Sequence, residues 1–269
     1  MTLHYVRAGE GEPLLLIHGI GHSHRAWIPV TDALVADGFD VVAIDAPGFG
    51  ASAPLPAGIR PTVAALADAI TDFVEHELGW ERPHVGGNSM GGALALELAA
   101  RGKARSATAL SPAGFWNRRE LRFCQLSLTS SYTLVRHAGA ALAPLAGTGV
   151  GRAALAGQLM HTPWKMPAEE ARATLDGLGG SDAFPATLAA FDALVPPPAD
   201  ALEGVPVTIA WAQHDHLLIP RQANRARRLY PRARHVTLRG VGHVPTWDNP
   251  ALVARTLAVG ARSPAGAAA

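Results

Sequence analysis

The stretch Gly87-Asn88-Ser89-Met90-Gly91 constrains this 269-residue chain more than any other, because of what flanks it. Before it, Arg82-Pro83-His84-Val85-Gly86 is short and carries a β-branched residue, as a strand does. After it, Gly92 to Arg101 is rich in Ala and Leu, which are strong helix formers. A Gly-x-Ser-x-Gly between strand and helix forces a turn too tight for Cβ atoms at its flanks, and it pushes the serine hydroxyl outward. Without those flanks the five residues would describe any Gly/Ser turn joining two elements.

The rest of the chain supplies the sheet such a turn needs. Pro13 to His18 and Asp40 to Asp45 are short apolar runs of the kind buried on both faces of a parallel sheet. Ser106 to Leu110, Val205 to Trp211 and His235 to Leu238 read as further strands, and Met1 to Val6 runs straight into another. Helical spacing is expected over Ala26 to Ala36, over Thr62 to Leu78 (with Val63, Leu66, Ile70, Phe73 and Val74 on one face), and from about Arg221 to Leu229. The β-α-β-α-β order implies right-handed crossovers and a mostly parallel central sheet flanked by helices, an α/β fold.

Between residues 112 and 200 the alternation stops. About ninety residues exceed what one crossover needs, and the stretch ends in the stiff Pro196-Pro197-Pro198. It is expected to be a mostly helical cap, broken at Gly147–Gly151 and Gly177–Gly180, inserted into a core built from residues 1–111 and 201–262. Residues 263–269 have no periodic apolar face and are expected to be a disordered tail.

Composition narrows the function classes. With 23 basic and 22 acidic residues and no basic run, nothing favours a nucleic-acid partner. The longest apolar runs are far too short to span a bilayer, so no membrane association is expected. The N-terminus lacks the charged and apolar regions of a signal peptide, and the single Cys124 suits a reducing compartment, so a cytoplasmic location is expected. There is no cysteine pair and no His-Glu-x-x-His run, so no metal or other cofactor is expected, although twelve histidines leave room for a weaker metal site. The quaternary expectation is a monomer or homodimer.

A serine hydroxyl is a poor nucleophile unless a base and a group that orients the base stand beside it. Asp215 follows the strand ending at Trp211, and His243 follows the strand ending near Leu238, in the glycine-loosened run Gly240-Val241-Gly242-His243-Val244-Pro245. Open α/β sheets keep their sites at this carboxyl edge, and the order Ser89, Asp215, His243 goes with a Gly-x-Ser-x-Gly turn. Alone, a loop Asp is more often a helix cap and a loop His a solvated side chain. The coincidence of all three, each just past a strand, favours catalysis, with His214, His216 and Asp248 as competing side chains. His18-Gly19-Ile20-Gly21, after the first apolar run, is the second element of an oxyanion site, and the backbone N–H groups of Ile20 and Met90 are its expected donors.

Together, His-Gly-x-Gly at 18–21, Asp45-Ala46-Pro47-Gly48-Phe49-Gly50-Ala51-Ser52, the Gly-Asn-Ser-Met-Gly-Gly turn, the late Asp and the closing Gly-His-Val-Pro resemble the α/β-hydrolase superfamily over residues 3–260. The resemblance implies a serine hydrolase cleaving a carboxylic ester or related acyl bond of a small, largely apolar substrate, with Asp45 and Ser52 architectural. A serine at the turn sets the chain apart from the aspartate-bearing haloalkane dehalogenases and epoxide hydrolases. The elbow is similar to that of meta-cleavage-product hydrolases, which cut carbon–carbon bonds. Gly21-His22-Ser23-His24 in place of further glycines and a proline, and Val244 in place of a tryptophan, depart from them. Carbon–carbon hydrolysis, a thioesterase, acyltransferase or cyclase, and a non-catalytic receptor of the same fold remain alternatives. Phe115, Trp116, Met160 and Trp164, with Phe123, Leu126 and Phe184, are expected pocket residues unless they form the cap's own core, and Arg118, Arg119 and Lys165 are the candidate cations.

Overall fold

The computed structural model describes residues 1–264, so most of the expected tail, residues 265–269, lies outside the described residues. Seven strands form one sheet: β1 (Tyr5–Ala8), β2 (Glu12–Ile17), β3 (Phe39–Ile44), β4 (His84–Asn88), β5 (Ser106–Leu110), β6 (Val207–Ala212) and β7 (Arg234–Leu238). Their order is β1-β3-β2-β4-β5-β6-β7. Among the described residues only the β1–β3 pair is antiparallel, and the other neighbouring pairs are parallel. β3, β4, β5 and β6 are buried along their whole length, as strands covered on both faces are, and their polar residues Asp40, His84, Asn88, Ser106, Thr108 and Thr208 are buried with them.

Helices cover both faces. On one lie α1 (Ile28–Ala36, entered through a 3-10 turn at His24–Trp27) and α9 (Pro250–Arg262), whose Val30, Leu34, Val253 and Leu257 pack with Leu14, Leu16 and Val41. On the other lie α2 (Val63–His76), α3 (Met90–Ala100) and α8 (Gln222–Leu229), packed through Leu66, Ile70, Leu94, Leu98 and Ala226. Thr62 caps α2, its side chain accepting from the Ala65 amide.

The segment between β5 and β6 is helical, as expected from its composition. It holds α4 (Arg118–Ala146), α5 (Gly149–Ala156), α6 (Ala168–Gly180) and α7 (Phe184–Ala190), with 3-10 turns at Pro163–Lys165, Phe191–Ala193 and Ala199–Leu202. A reciprocal capping box between Asn117 and Glu120 starts the 29-residue α4. The expected break at Gly147–Gly151 is confined to Gly147 and Thr148, the residues between α4 and α5. The Gly177–Gly180 run forms the last turn of α6, which stops at Gly180, so the break falls directly after the run rather than within it. A Cβ on Gly179 would stand 3.2 Å from Val135 Cγ1, so at that residue the small side chain serves a close approach of α6 to α4 rather than a turn. Among the described residues no helix is long and apolar enough to cross a membrane.

Candidate active site

Because β4, β5, β6 and β7 are neighbours and parallel, the loops leaving their carboxyl ends share one edge of the sheet. Ser89 directly follows β4, Asp215 lies three residues past β6, and His243 lies five past β7. Ser89 has φ 56° and ψ −113°, a left-handed conformation costly for a side-chain-bearing residue. The turn is as crowded as its glycines imply: a Cβ on Gly87 would come within 2.1 Å of the Gly91 carbonyl, and one on Gly91 within 1.9 Å of the Ile17 carbonyl.

His243 Nδ1 and Asp215 Oδ2 are 2.7 Å apart, and the two side chains are 3% and 0% exposed. The other Asp215 oxygen accepts the amides of Leu217 and Leu218, at 3.0 and 2.7 Å. Asp215 therefore both caps its local turn and holds the imidazole; the two readings weighed from the sequence are not exclusive. His214 stacks instead on His161, with ring centroids 4.0 Å apart, and His216 is exposed. Asp248 is also turned elsewhere. It accepts from the amides of Gly242, His161 and Thr162 and from the Thr162 hydroxyl, tying the His243 loop to the turn before α6.

Ser89 and His243 line one small cavity of about 90 Å³ with Gly19, Ile20, His22 and Phe184. Among the described residues neither the Ile20 nor the Met90 amide donates to a protein acceptor. Gly21 has the positive φ, 75°, that the loop needs, whereas Gly19 is small because its Cβ would stand 3.3 Å from that of Ser89. The loop is braced from below. Buried His18 donates Nδ1–H to the Gly19 carbonyl and accepts the Ala46 amide at Nε2, so it stands neutral, and burial lowers its pKa. Asp45 accepts the His24 amide and imidazole at one oxygen and the Ala51 amide and His4 imidazole at the other. Burial alone would raise its pKa, but the bonds from His24 and Ala51 outweigh burial and hold the carboxyl below the usual range. His4, His24 and Asp45 are also the described group whose ligand atoms come within 4.8 Å of one another, the spacing a metal ion would require.

A second cavity, of about 300 Å³, adjoins the first and shares His22, Ser131, Leu159, Thr174, Leu178 and Val244 with it. A larger surface groove of about 410 Å³, by Leu202, Val205 and Tyr230, contains none of the three candidate residues. Of the expected pocket residues, Phe184 lines the Ser89 cavity and Met160 the adjoining one. Phe115 does not: its ring packs edge-on to Trp211 and Tyr230 in the core between β6 and α8. Trp116 lies against Phe191, 5.5 Å between centroids, and Trp164, Phe123 and Leu126 are 54%, 49% and 69% exposed. Neither cavity is lined by Arg118, Arg119 or Lys165, and the Lys165 ammonium donates to the Asp248 carbonyl.

Two contributors escaped the sequence reading. Asn88, inside the Gly-x-Ser-x-Gly, donates Nδ2–H to the carbonyls of His243 and Leu110, pinning the histidine's backbone to the serine turn. His22 lines both cavities. A polar residue at the end of a fully buried strand was the available signal for Asn88; His22 had none.

The family model for the alpha/beta hydrolase fold matches residues 12–250. Among curated proteins, the chain is 42% identical over 118 residues to the dihydrolipoyllysine-residue acetyltransferase component of the acetoin cleaving system of Cupriavidus necator, covering 43% of this chain and 30% of that one. It is 37% identical over 102 residues to the 2-hydroxy-6-oxononadienedioate/2-hydroxy-6-oxononatrienedioate hydrolase of a Pseudomonas species, covering 36% of this chain and 35% of that one. The chain thus spans about a third of the length of these relatives. Among solved structures, a membrane phospholipase A described as a bacterial virulence factor superposes with a TM-score of 0.78 at 27% identity, covering 97% of this chain and 83% of that one.

Proposed function

The chain belongs to the alpha/beta hydrolase fold family, and from that premise we propose that it is a serine hydrolase cleaving a carboxylic ester, or a related acyl bond, of a small and largely apolar substrate. The observation that carries this reading is the buried Asp215–His243 pair, 2.7 Å apart, beside a serine held at positive φ on the wall of the same cavity.

His243 Nδ1–H donates to Asp215, so Nε2 is free to accept the Ser89 proton as Oγ bonds to the substrate carbonyl carbon. The negative charge that develops on the carbonyl oxygen is stabilised by the Ile20 and Met90 amides; one such donor is worth about 3 kcal/mol in the barrier. Collapse of the tetrahedral adduct breaks the bond to the leaving group, which takes the proton from His243 and leaves an acyl-Ser89. Water, deprotonated by His243, releases the acid and restores the serine. The segment of residues 112–200 acts as a cap, its Leu128, Leu159, Leu178 and Phe184 supplying much of the apolar wall over Ser89.

The lining of that cavity favours ester cleavage over the carbon–carbon alternative. It includes no Lys, Arg, Asp or Glu, whereas a dioate of the kind the Pseudomonas relative is named for brings carboxylates that need a cation. Arg152 lines the adjoining cavity, not this one; its Nη atoms donate to the carbonyls of Ala146 and Trp164, and its Nε has no partner among the described residues. Turnover of p-nitrophenyl butyrate by the wild type, abolished in both Ser89→Ala and His243→Ala with their melting temperatures retained, is the expected result. Wild-type rates in either variant would overturn the assignment.

A further inference from the structure

A buried polar atom without a partner costs about 1–3 kcal/mol and calls for an explanation. His22 Nε2 is such an atom. The other ring nitrogen, Nδ1, accepts the Ser23 amide at 2.9 Å, so in the neutral ring the proton sits on Nε2. The ring is neutral at physiological pH, because burial, with His18 nearby, pulls its pKa down to about 4. His22 is therefore a fixed, uncharged N–H donor. Its ring stands where the Ser89 cavity meets the larger one, since His22 lines both, with Nε2 itself closed to solvent, so an acceptor reaches it by displacing the atoms that cover it.

The other polar side chains of the Ser89 cavity are committed or different in kind. Asn88 is spent on the carbonyls of Leu110 and His243, and the Thr174 hydroxyl donates to the Glu170 carbonyl. Apart from Ser89 and His243 that leaves His22 and the Ser131 hydroxyl on the shared wall. An uncharged donor in a cavity without cations suits an uncharged oxygen acceptor and does not suit a carboxylate.

We propose that His22 is a specificity-determining residue, whose Nε2–H receives a second, uncharged oxygen on the acyl chain of the substrate, such as an ether, keto or lactone oxygen, while the rest of that chain fills the adjoining apolar cavity. This rests on the hydrolase reading above and adds to it a substrate class: oxygen-substituted acyl esters rather than plain alkyl ones. Among the described residues of the protein, Nε2–H has no acceptor. A substrate that supplies it removes an unpaired donor, and an alkyl isostere leaves the donor unpaired.

Matched p-nitrophenyl esters test the assignment. Methoxyacetate against butyrate, and 3-methoxypropanoate against pentanoate, each exchange one methylene for oxygen at constant length. The readout is the ratio of kcat/KM within a pair, divided by the ratio of the spontaneous hydrolysis rates. The wild type is expected to favour at least one oxygen-bearing ester by about tenfold, in line with one net hydrogen bond. His22→Phe is expected to bring that ratio to about one and His22→Gln to retain part of it. Because each ratio is internal to one variant, a loss of folded protein cancels. No preference in the wild type, or one that survives His22→Phe, would overturn the proposal while leaving alkyl-ester turnover, and so the hydrolase reading, standing. If the wild type turns over neither series, the hydrolase reading itself fails.

Discussion

Replacing Asp215 by Asn tests the role of the acid with the least disturbance to its surroundings. The carboxylate is buried, with one oxygen on His243 Nδ1 and the other accepting the Leu217 and Leu218 amides. Those two amides can only donate, so in the variant the amide oxygen stays with them and the NH2 turns to His243. An NH2 donates as well, so Nδ1 must become the acceptor and the imidazole proton moves to Nε2. In that tautomer Nε2 cannot take the Ser89 proton. The expected loss is about 10⁴ in kcat, or about 5.5 kcal/mol in the barrier, with KM little changed. Stability should fall by no more than about 2 kcal/mol, because the variant keeps the acceptor for both amides and loses only the charge on its bonds. Steady-state hydrolysis of p-nitrophenyl butyrate and urea unfolding of the same preparations measure the two effects. A kcat within tenfold of wild type in a folded variant would refute the role given to Asp215.

Asp248→Ala leaves the amides of Gly242, His161 and Thr162 and the Thr162 hydroxyl without their acceptor, and should cost about 3 kcal/mol in urea unfolding. An unchanged midpoint would mean that the tie between the His243 loop and the turn before α6 carries no stability. Stability should also fall with acid in a defined window. His22 has its pKa lowered to about 4 in the folded state, so between the usual 6.5 and about 4 the unfolded chain binds a proton that the folded chain does not. The free energy of unfolding therefore declines as pH drops through that window, by up to about 1.4 kcal/mol per pH unit, and buried His18 adds with the same sign. Unfolding curves from pH 7 to 4.5 should show a shallower decline in His22→Phe; equal slopes would contradict the neutral, buried state of His22.

The parts of the fold that could be read from the sequence were those in which one physical requirement dominates. Ser106–Leu110 matches the strand expected from its place after the Ala/Leu-rich helix, although its alternation of Ser106, Ala107, Thr108 and Ala109 gives no sign that both faces are buried. Ser89 could be found because a turn this crowded admits glycine almost alone at 87 and 91. The α9 helix went unremarked, although Asn249 before Pro250 is a cap followed by a preferred first residue, and the Asn249 side chain does accept the Leu252 amide. The Gly177–Gly180 run marks the end of α6 at Gly180, and within it Gly179 also meets Val135 of α4, a double use of glycine that only the neighbour reveals. Pocket residues were the least legible. Large apolar side chains suit a core, a surface or a cavity equally well, so Phe115, Trp116 and Trp164 fell outside the site, whereas Phe184 and Met160 fell within it or beside it.

The central claim is that Ser89 is a nucleophile activated by His243. Reaction with a fluorophosphonate, followed by intact mass and peptide mapping, addresses it without any assumption about substrate. One adduct per chain is expected, on the peptide that carries Ser89, absent in Ser89→Ala and slowed at least 10³-fold in His243→Ala. No adduct on the folded wild type, as a receptor that only shares the fold would give, or an adduct on another residue, would contradict it.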